Sequence, residues 1–248
     1  MTTSSSHRGA RIGSGRTARG RSVVALIVVA AGLVATAQAN AGDHLGRGSH
    51  WAFVDQRAAV HVAPSQASRI VTRLSTTTQD GTDELVLILA QRSRPDGVWM
   101  KVRLPILPNN STGWVKAARL SRPRFVHTWL RVNRAHERLT LFRDGRAIFR
   151  ARIGVGRPET PTPAGNFYIR DKLTGFPPGT LYGPLAFGTS ARSAVLTDWP
   201  KDGVIGIHGT NEPDLLPGHV SHGCMRMRNE DILRLAKLLP VGTPLTIT

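Results

Sequence analysis

Short apolar runs alternate with turn-forming residues through the central part of the chain, and this pattern predicts a fold made mainly of β-strands. After the apolar pair Val98-Trp99, apolar and polar side chains alternate in Met100-Lys101-Val102-Arg103, which is the period of a strand buried on one face. Comparable runs occupy residues 60–62, 85–90, 114–115, 126–132, 139–142 and 147–153. Arg94-Pro95-Asp96-Gly97 and Asp144-Gly145 carry the residues that tight turns require, so we expect a turn at the first position and a hairpin at the second.

Helical periodicity is convincing at one place, close to the end of the chain. The apolar positions that share one helix face there are Ile232, Leu235, Ala236 and Leu239. Asn229 is a residue type that caps helices, and a final strand is expected over residues 243–248. Glycines and prolines fill residues 154–165 and predict a loop without regular structure.

The first 39 residues follow the three-part plan of a secretory signal peptide. The basic residues that open it are Arg8, Arg11, Arg16, Arg19 and Arg21. An apolar run begins at Val23, and Ala37-Gln38-Ala39 supplies the small residues of a cleavage site. We expect cleavage after Ala39 and export to the periplasm or the cell wall. The alternative is an uncleaved segment that anchors the chain in the membrane.

The composition adds a strong basic excess, with 33 Lys and Arg against 16 Asp and Glu and a formal net charge of +17. Outside a bacterial membrane, such a surface attracts anionic wall polymers and lipid head groups. The sequence contains no zinc-finger spacing, aromatic RNA-binding motif or basic-region heptad, so charge is the only argument for nucleic acid and we predict no such partner.

Cys224 is the single cysteine, so the chain forms no intramolecular disulfide. A nucleophilic thiol needs a nearby base or backbone dipoles, because a free cysteine with a pKa of about 8.5 is mostly protonated at neutral pH. His208 ends an apolar strand 16 residues earlier, and the loop between them is rich enough in proline and glycine to fold back. We therefore expect the two side chains to meet.

The residues around this pair suit acyl transfer. Gly223 permits a tight turn, which can aim the N–H groups of Gly223 and Cys224 at one point. That point is an oxyanion hole for a carbonyl oxygen that becomes negative when the thiolate attacks. The ring of His208 needs a third group to orient it. A backbone carbonyl such as that of Gly209 can do this, and the carboxylates nearby in sequence are those of Glu212 and Asp214.

His208-Gly209-Thr210 and Ser221-His222-Gly223-Cys224-Met225-Arg226-Met227 together resemble the active-site signature of the L,D-transpeptidase family with the YkuD-type catalytic domain. The resemblance covers about residues 124–248. It implies a β-rich catalytic domain with one C-terminal helix, and an acyl-enzyme formed on the tetrapeptide stem of peptidoglycan.

The same resemblance implies roles for individual residues. Cys224 corresponds to the nucleophile, His208 to the base and Gly209 to the residue whose carbonyl orients the base. The oxyanion-hole stretch corresponds to His222, Gly223 and Cys224. We assign Arg226, Thr210 and Ser221 to substrate binding, with an internal salt bridge as the alternative for Arg226.

The region before this domain resembles bacterial SH3-like domains in residues 97–103 and 113–116 and at Leu120. The likeness implies a small β barrel over residues 50–121, which either contacts wall polymers or acts as a spacer. Ser121-Arg122-Pro123-Arg124 interrupts the strand pattern and marks the joint. The predicted order is thus a signal peptide at 1–39, an SH3-like domain at 50–121 and a catalytic domain at 124–248.

The implied reaction consists of two acyl transfers. The thiolate attacks the third stem residue and expels the terminal D-alanine, and an amine of a second stem then takes the acyl group. Water as the acceptor would instead give an L,D-carboxypeptidase, and a non-catalytic wall-binding protein is a further alternative. The last alternative function is zinc binding, for which the candidate ligands are His208, His219, His222 and Cys224. Their spacing matches no zinc motif, so we predict no metal and no cofactor.

Overall fold

A computed structural model describes residues 48–196 and 203–248, and these ranges consist mainly of β-strands. The described ranges contain a single α-helix, so the prediction of a mainly β fold with one C-terminal helix is confirmed. The predicted signal peptide over residues 1–39 lies outside the described residues. Within the described ranges, no helix has the length and apolar character of a membrane span.

Seven strands form an antiparallel sheet in the first part of the described chain. They are β1 (Ser49–Phe53), β2 (Ala58–His61), β3 (Ile70–Leu74), β4 (Leu85–Arg94), β5 (Gly97–Arg103), β6 (Thr112–Lys116) and β7 (Arg124–Val126). Their spatial order is β3-β2-β6-β5-β4-β1-β7. The predicted turn after Arg94 joins β4 to β5, with Arg94 opposite Gly97. The likeness of this region to SH3-like domains stays a prediction.

Ten strands form the second sheet. They are β8 (Thr128–Asn133), β9 (Arg138–Arg143), β10 (Arg146–Arg152), β11 (Gly154–Gly156), β12 (Gly165–Thr174), β13 (Leu185–Arg192), β14 (Val204–His208), β15 (Gly218–Ser221), β16 (Met225–Arg226) and β17 (Pro244–Ile247). Their order is β10-β9-β8-β17-β12-β13-β14-β16-β11-β15. Helix α1 (Asn229–Leu235) follows β16, and two 3-10 turns lie at Ala117–Arg119 and Pro213–Leu215.

The hairpin predicted at Asp144-Gly145 joins β9 to β10. Both residues have positive φ angles, +50° and +77°, which is the conformation that a two-residue hairpin turn needs. The prediction of an irregular loop over residues 154–165 is wrong at its start. Gly154–Gly156 form β11, because this segment pairs with β15 on one side and with β16 on the other.

The second sheet buries the inward positions of its alternating strands in one apolar core. Leu130, Val132, Leu139 and Leu141 of β8 and β9 are fully buried there. Ile232 and Leu235 of α1 pack into the same core, as the predicted helix face requires. A separate core inside the first sheet contains Ala52, Val60, Val86, Val102 and Val115.

Buried side chains from both sheets meet in a common seam. Its apolar members are Trp51, Leu85, Leu87, Val126 and Tyr168. Arg170 on β12 forms a two-bond ion pair with Glu84, with Nε donating to Oε1 at 2.7 Å and Nη2 donating to Oε2. Both residues are buried. The hydroxyl of Tyr168 donates to the carbonyl of Leu85 at 3.1 Å, so the seam contains polar bonds as well as apolar contacts.

Asn109 extends the seam as a clamp on strand β13. Its Nδ2 donates to the carbonyl of Arg192 at 2.7 Å, and its Oδ1 accepts from the N–H of Arg192 at 3.0 Å. The side-chain amide therefore satisfies both backbone groups of Arg192, as a neighbouring strand would. Strand β13 is also the neighbour of β14, which carries His208.

Candidate active site

His208 is the last residue of β14 and is 3% exposed. Its Nδ1 lies 2.6 Å from the carbonyl oxygen of Gly209. A carbonyl only accepts hydrogen bonds, so Nδ1 carries the proton and Nε2 is the basic nitrogen of the neutral ring. The ring of Tyr182 lies edge-on to it, with 5.0 Å between the ring centroids.

Gly209 is held in place by Asn229. The Oδ1 atom of Asn229 accepts the N–H of Thr210 at 2.8 Å. A Cβ atom at position 209 would lie 2.3 Å from the same oxygen, so only glycine fits here. The prediction that Asn229 caps α1 is wrong, because Arg228 occupies the N-cap position and Asn229 is the first helical residue.

Cys224 lies beside the same strand. Strand β16 runs parallel to β14 and pairs Met225 with Ile207, which places Cys224 next to Gly206. The N–H of Gly206 donates to Sγ of Cys224 at 3.3 Å. Cys224 and His208 line one cavity of about 50 Å³, so the structure brings together the two residues that the sequence predicts to meet.

The turn before the cysteine is fixed by two hydroxyl groups. Ser221 Oγ donates to the carbonyl of Cys224 at 2.6 Å and accepts the N–H of Gly223 at 3.1 Å. Thr162 Oγ1 donates to the carbonyl of Gly223 at 2.7 Å and accepts the N–H of Gly156 at 2.9 Å. Gly223 has a φ of +115°, a conformation that L side chains rarely adopt.

These bonds change the predicted oxyanion hole. The N–H of Gly223 is used by Ser221, which differs from the expectation that it points into the site together with the N–H of Cys224. Within the described residues, the N–H of Cys224 donates to no protein acceptor. The third predicted member, His222, is exposed and lines the cavity. Cys224 therefore supplies the backbone donor that stays available.

The three predicted substrate-binding residues have different surroundings. Thr210 is 1% exposed and is not among the residues that line the cavity. Its hydroxyl accepts the N–H of Glu212 at 3.0 Å and stabilises a turn. Ser221 is equally buried, lines the cavity and holds the cysteine turn. Arg226 lines the cavity, and its Nη1 donates to Glu212 at 2.7 Å. The internal salt bridge considered for Arg226 is thus present.

Burial dominates the electrostatics of the pair. Burial lowers the pKa of His208 to about 4. The bond to Gly209 acts in the opposite direction and raises this pKa, while the charge of Arg226 also lowers it. Burial also raises the pKa of the Cys224 thiol, although the Gly206 N–H and Arg226 act in the opposite direction. At neutral pH both side chains are therefore uncharged.

The remaining candidates lie elsewhere. His219 contacts the carbonyl of Gly156 through Nδ1 at 3.1 Å and does not line the cavity with Cys224. Among the described residues, no three His, Cys, Asp or Glu side chains are grouped closely enough to hold a metal ion. Sequence reasoning missed Thr162 and the true role of Asn229, because both act through bonds to residues distant in the chain.

Comparisons with known proteins show which family this part of the chain resembles. Residues 127–247 match the family model of the YkuD L,D-transpeptidase catalytic domain. The chain is 37% identical over 109 residues to YkuD of Bacillus subtilis (strain 168), in an alignment covering 44% of this chain and 58% of that protein. YkuD of Bacillus licheniformis is 36% identical over 110 residues, covering 44% and 59%. The chain thus matches somewhat more than half the length of these relatives.

Solved structures also align with the chain. The catalytic domain of an Enterococcus faecium L,D-transpeptidase is 25% identical over 49% of this chain and 96% of that chain, with a TM-score of 0.37. An L,D-transpeptidase from Mycobacterium smegmatis is 14% identical over 61% and 90%, with a TM-score of 0.40. The family assignment rests on the sequence matches, whose range includes both His208 and Cys224. Over residues 127–247, the chain therefore matches the catalytic domain of the YkuD L,D-transpeptidase family.

Proposed function

We propose that the protein is a peptidoglycan L,D-transpeptidase in which Cys224 is the nucleophile and His208 the general base. The observation that supports this most directly is the shared cavity of the two residues, with His208 Nδ1 bonded to the carbonyl of Gly209. The bond leaves Nε2 unprotonated, which is the state that a base needs.

The first half-reaction forms a thioester. Cys224 gives its proton to Nε2 of His208 while Sγ forms a bond to the carbonyl carbon of the third stem residue, a diamino acid. Because both groups are neutral at rest, proton transfer accompanies the attack. The N–H of Cys224 stabilises the negative oxygen. The bond to D-alanine then breaks, and the imidazolium returns the proton to the leaving amine.

The second half-reaction releases the acyl group. An amine of a second stem attacks the thioester carbon and loses a proton to His208, and the carbon–sulfur bond breaks as Cys224 takes that proton back. The product is a cross-link between two stems. If water attacks instead, the same residues give a carboxypeptidase, so the acceptor decides between the two activities.

Arg226 is proposed to orient the substrate from the wall of the cavity. Its guanidinium is buried and paired with Glu212, whose side chain is 48% exposed. The Nε atom of Arg226 has no hydrogen-bond partner. A fixed cation beside the thiol favours a substrate carboxylate, because planar guanidinium and carboxylate groups match in geometry.

Mass spectrometry of the protein incubated with disaccharide tetrapeptides tests this proposal. We expect an adduct on Cys224 with the mass of the stem without D-alanine, followed by cross-linked dimers. Cys224→Ala and His208→Gln should abolish both products, while His219→Gln, which changes a histidine outside the cavity, should keep them. Equal turnover by Cys224→Ala would overturn the proposal.

The alternatives give different products in the same experiment. Tripeptide stems without dimers would identify a carboxypeptidase. Binding to purified sacculi that is identical for the wild type and Cys224→Ala, with no turnover in either, would identify a wall-binding protein. Loss of activity with a chelator but not with a thiol-alkylating reagent would favour the zinc alternative.

Export and wall contact through the N-terminal region belong to the same proposal. The leader pattern over residues 1–39 supports cleavage by a signal peptidase, with a retained membrane anchor as the alternative. The SH3-like pattern over residues 50–121 supports a module that contacts the wall or spaces the catalytic domain from it. N-terminal sequencing of the protein recovered from cells tests the cleavage, and a start near Asn40 is expected.

A further inference from the structure

The outward face of strands β8, β9 and β10 carries a cluster of arginines. Neighbouring positions along β8 and β9 point into the core, so Arg131, Arg138 and Thr140 project to the opposite side. Arg150 projects from β10 in the same way. Together with Phe142, these residues line an open groove of about 360 Å³, which we call the arginine groove.

Strand register places the three guanidinium groups close together. Thr140 is paired with Arg131 on one side and with Arg150 on the other. Adjacent strands are about 4.8 Å apart, so the two arginines flank Thr140 on neighbouring strands. Arg138 lies two residues before Thr140 on the same face of β9. The cations are therefore an array fixed by the sheet.

The charge of this array has no acidic partner among the described residues. In residues 48–196 and 203–248, no carboxylate lies within 4 Å of Arg131, Arg138 or Arg150. Arg152 of β10, by contrast, pairs with Glu137 at 3.3 Å. Neighbouring like charges repel, so a bound anion relieves the repulsion and gains bidentate hydrogen bonds.

An aromatic surface borders the array. Phe142 is partly exposed and stacks on Trp129, with ring centroids 5.1 Å apart and an interplanar angle of 25°. The two residues are paired across β8 and β9, next to the row that contains Arg131 and Thr140. A flat apolar surface beside cations suits a ligand that has apolar faces as well as charges, which a sugar ring with an acidic substituent provides.

We propose that the arginine groove binds an anionic glycan, a chain of sugar residues that bear carboxylate or phosphate groups. The sugar faces lie on Phe142, and the acidic groups lie on Arg131, Arg138 and Arg150. The groove shares no lining residue with the cavity of Cys224 and His208, so this binding is independent of the proposed acyl transfer. It would hold the enzyme on an acidic wall polymer.

Fluorescence anisotropy with a labelled oligogalacturonate tests the proposal on the full chain. The double variant Arg131→Gln/Arg150→Gln should raise the Kd at least about tenfold, because it removes two charge-assisted contacts. The control Arg92→Gln/Arg94→Gln removes the same charge from the exposed end of β4 and should change the Kd less than about threefold. In the groove variant, the slope of log Kd against the logarithm of the salt concentration should also decrease by about two.

Several results would overturn the proposal. Equal losses in the groove and control variants would mean that net charge alone binds the probe. Labelled poly-L-glutamate binding as tightly as the oligogalacturonate would exclude the sugar contact, and tighter binding of single-stranded DNA would indicate a nucleic-acid site. If the double variant does not fold, as judged by its melting temperature, Arg138→Gln replaces it with the same expected direction.

Two further measurements complete the test. A phosphorylated mannan compared with the oligogalacturonate identifies phosphate or carboxylate as the preferred acidic group, and weak binding of both would contradict the proposal. Cys224→Ala should bind the preferred glycan as the wild type does. The binding assay therefore gives its answer whether or not acyl transfer is observed.

Discussion

Gly206 donates its N–H to Sγ of Cys224. Gly206 lies two residues before His208, which shares the cavity with the thiol. Strand β14 therefore supplies both a donor to the sulfur and the proposed base. The donor stabilises a thiolate, but burial has the larger effect and keeps the thiol protonated. In the proposed reaction, the thiolate would therefore form during the attack rather than beforehand.

The pH dependence of alkylation should show this directly. Burial raises the pKa of Cys224, so the rate of its reaction with iodoacetamide should increase at a higher pH in the folded protein than in the urea-unfolded protein. Mass spectrometry of the modified peptide over a pH series measures both curves. A folded protein that reacts at a lower pH than the unfolded one would indicate a stored thiolate and contradict this description.

Stability should fall on mild acidification because of His208. Its pKa is about 4 in the folded protein and about 6.5 in the unfolded chain, so between these values the unfolded state binds the extra proton. The contribution is complete above about pH 6.5 and is lost as the pH falls toward 4, by up to about 3 kcal/mol. Urea unfolding at several pH values measures it.

A matched pair of variants isolates this effect. His208→Gln should flatten the pH dependence of the free energy of unfolding between pH 4 and 6.5, while the exposed His136→Gln should leave it as in the wild type. The same slope in wild type and His208→Gln would assign the pH dependence to other groups.

Thr162 should be needed for the shape of the cysteine turn. Thr162→Val keeps the volume but removes the hydroxyl, which leaves the carbonyl of Gly223 and the N–H of Gly156 without partners. We expect a loss of about 1–3 kcal/mol in unfolding free energy and slower acylation of Cys224. Thr162→Ser keeps the hydroxyl and should recover most of both. Equal losses in the Ser and Val variants would contradict this role of the hydroxyl group, because Thr162→Ser retains it.

The buried ion pair of Arg170 and Glu84 should be more important for the free energy of unfolding than an exposed ion pair is. Arg170→Met leaves the buried carboxylate of Glu84 without its guanidinium partner, and we expect a loss of about 3–5 kcal/mol. Arg234→Met breaks an exposed pair with Asp231 and should cost less than about 1 kcal/mol. Denaturant midpoints compare the two, and similar values for both variants would contradict this ranking.

Local chemistry made several elements predictable. Asp144-Gly145 tolerates the positive φ angles of a hairpin turn, and the apolar spacing that includes Ile232 and Leu235 gives one helix face whatever the helix packs against. The meeting of His208 and Cys224 was also predictable, because the loop between them is short and rich in turn residues.

Other features depend on partners that no local pattern reveals. Two of the three residues of strand β11 are glycines, which have low strand propensity, and pairing with β15 and β16 overrides that propensity. Asn229 has the residue type of a helix cap, but its side chain bonds Thr210 across the site. Turn geometry and the family resemblance both predict that the N–H of Gly223 points into the oxyanion hole, but this N–H donates to Ser221 Oγ instead.

The two hydrogen bonds of Asn109 to Arg192 couple the unfolding of the second sheet to that of the first. Asn109 lies in the loop between β5 and β6, so unfolding of the first sheet would leave the backbone N–H and carbonyl of Arg192 in β13 without these partners. Calorimetry of the intact chain should consequently record one endotherm. A C-terminal fragment that lacks Asn109 would expose the unpaired N–H and carbonyl groups of Arg192 to solvent.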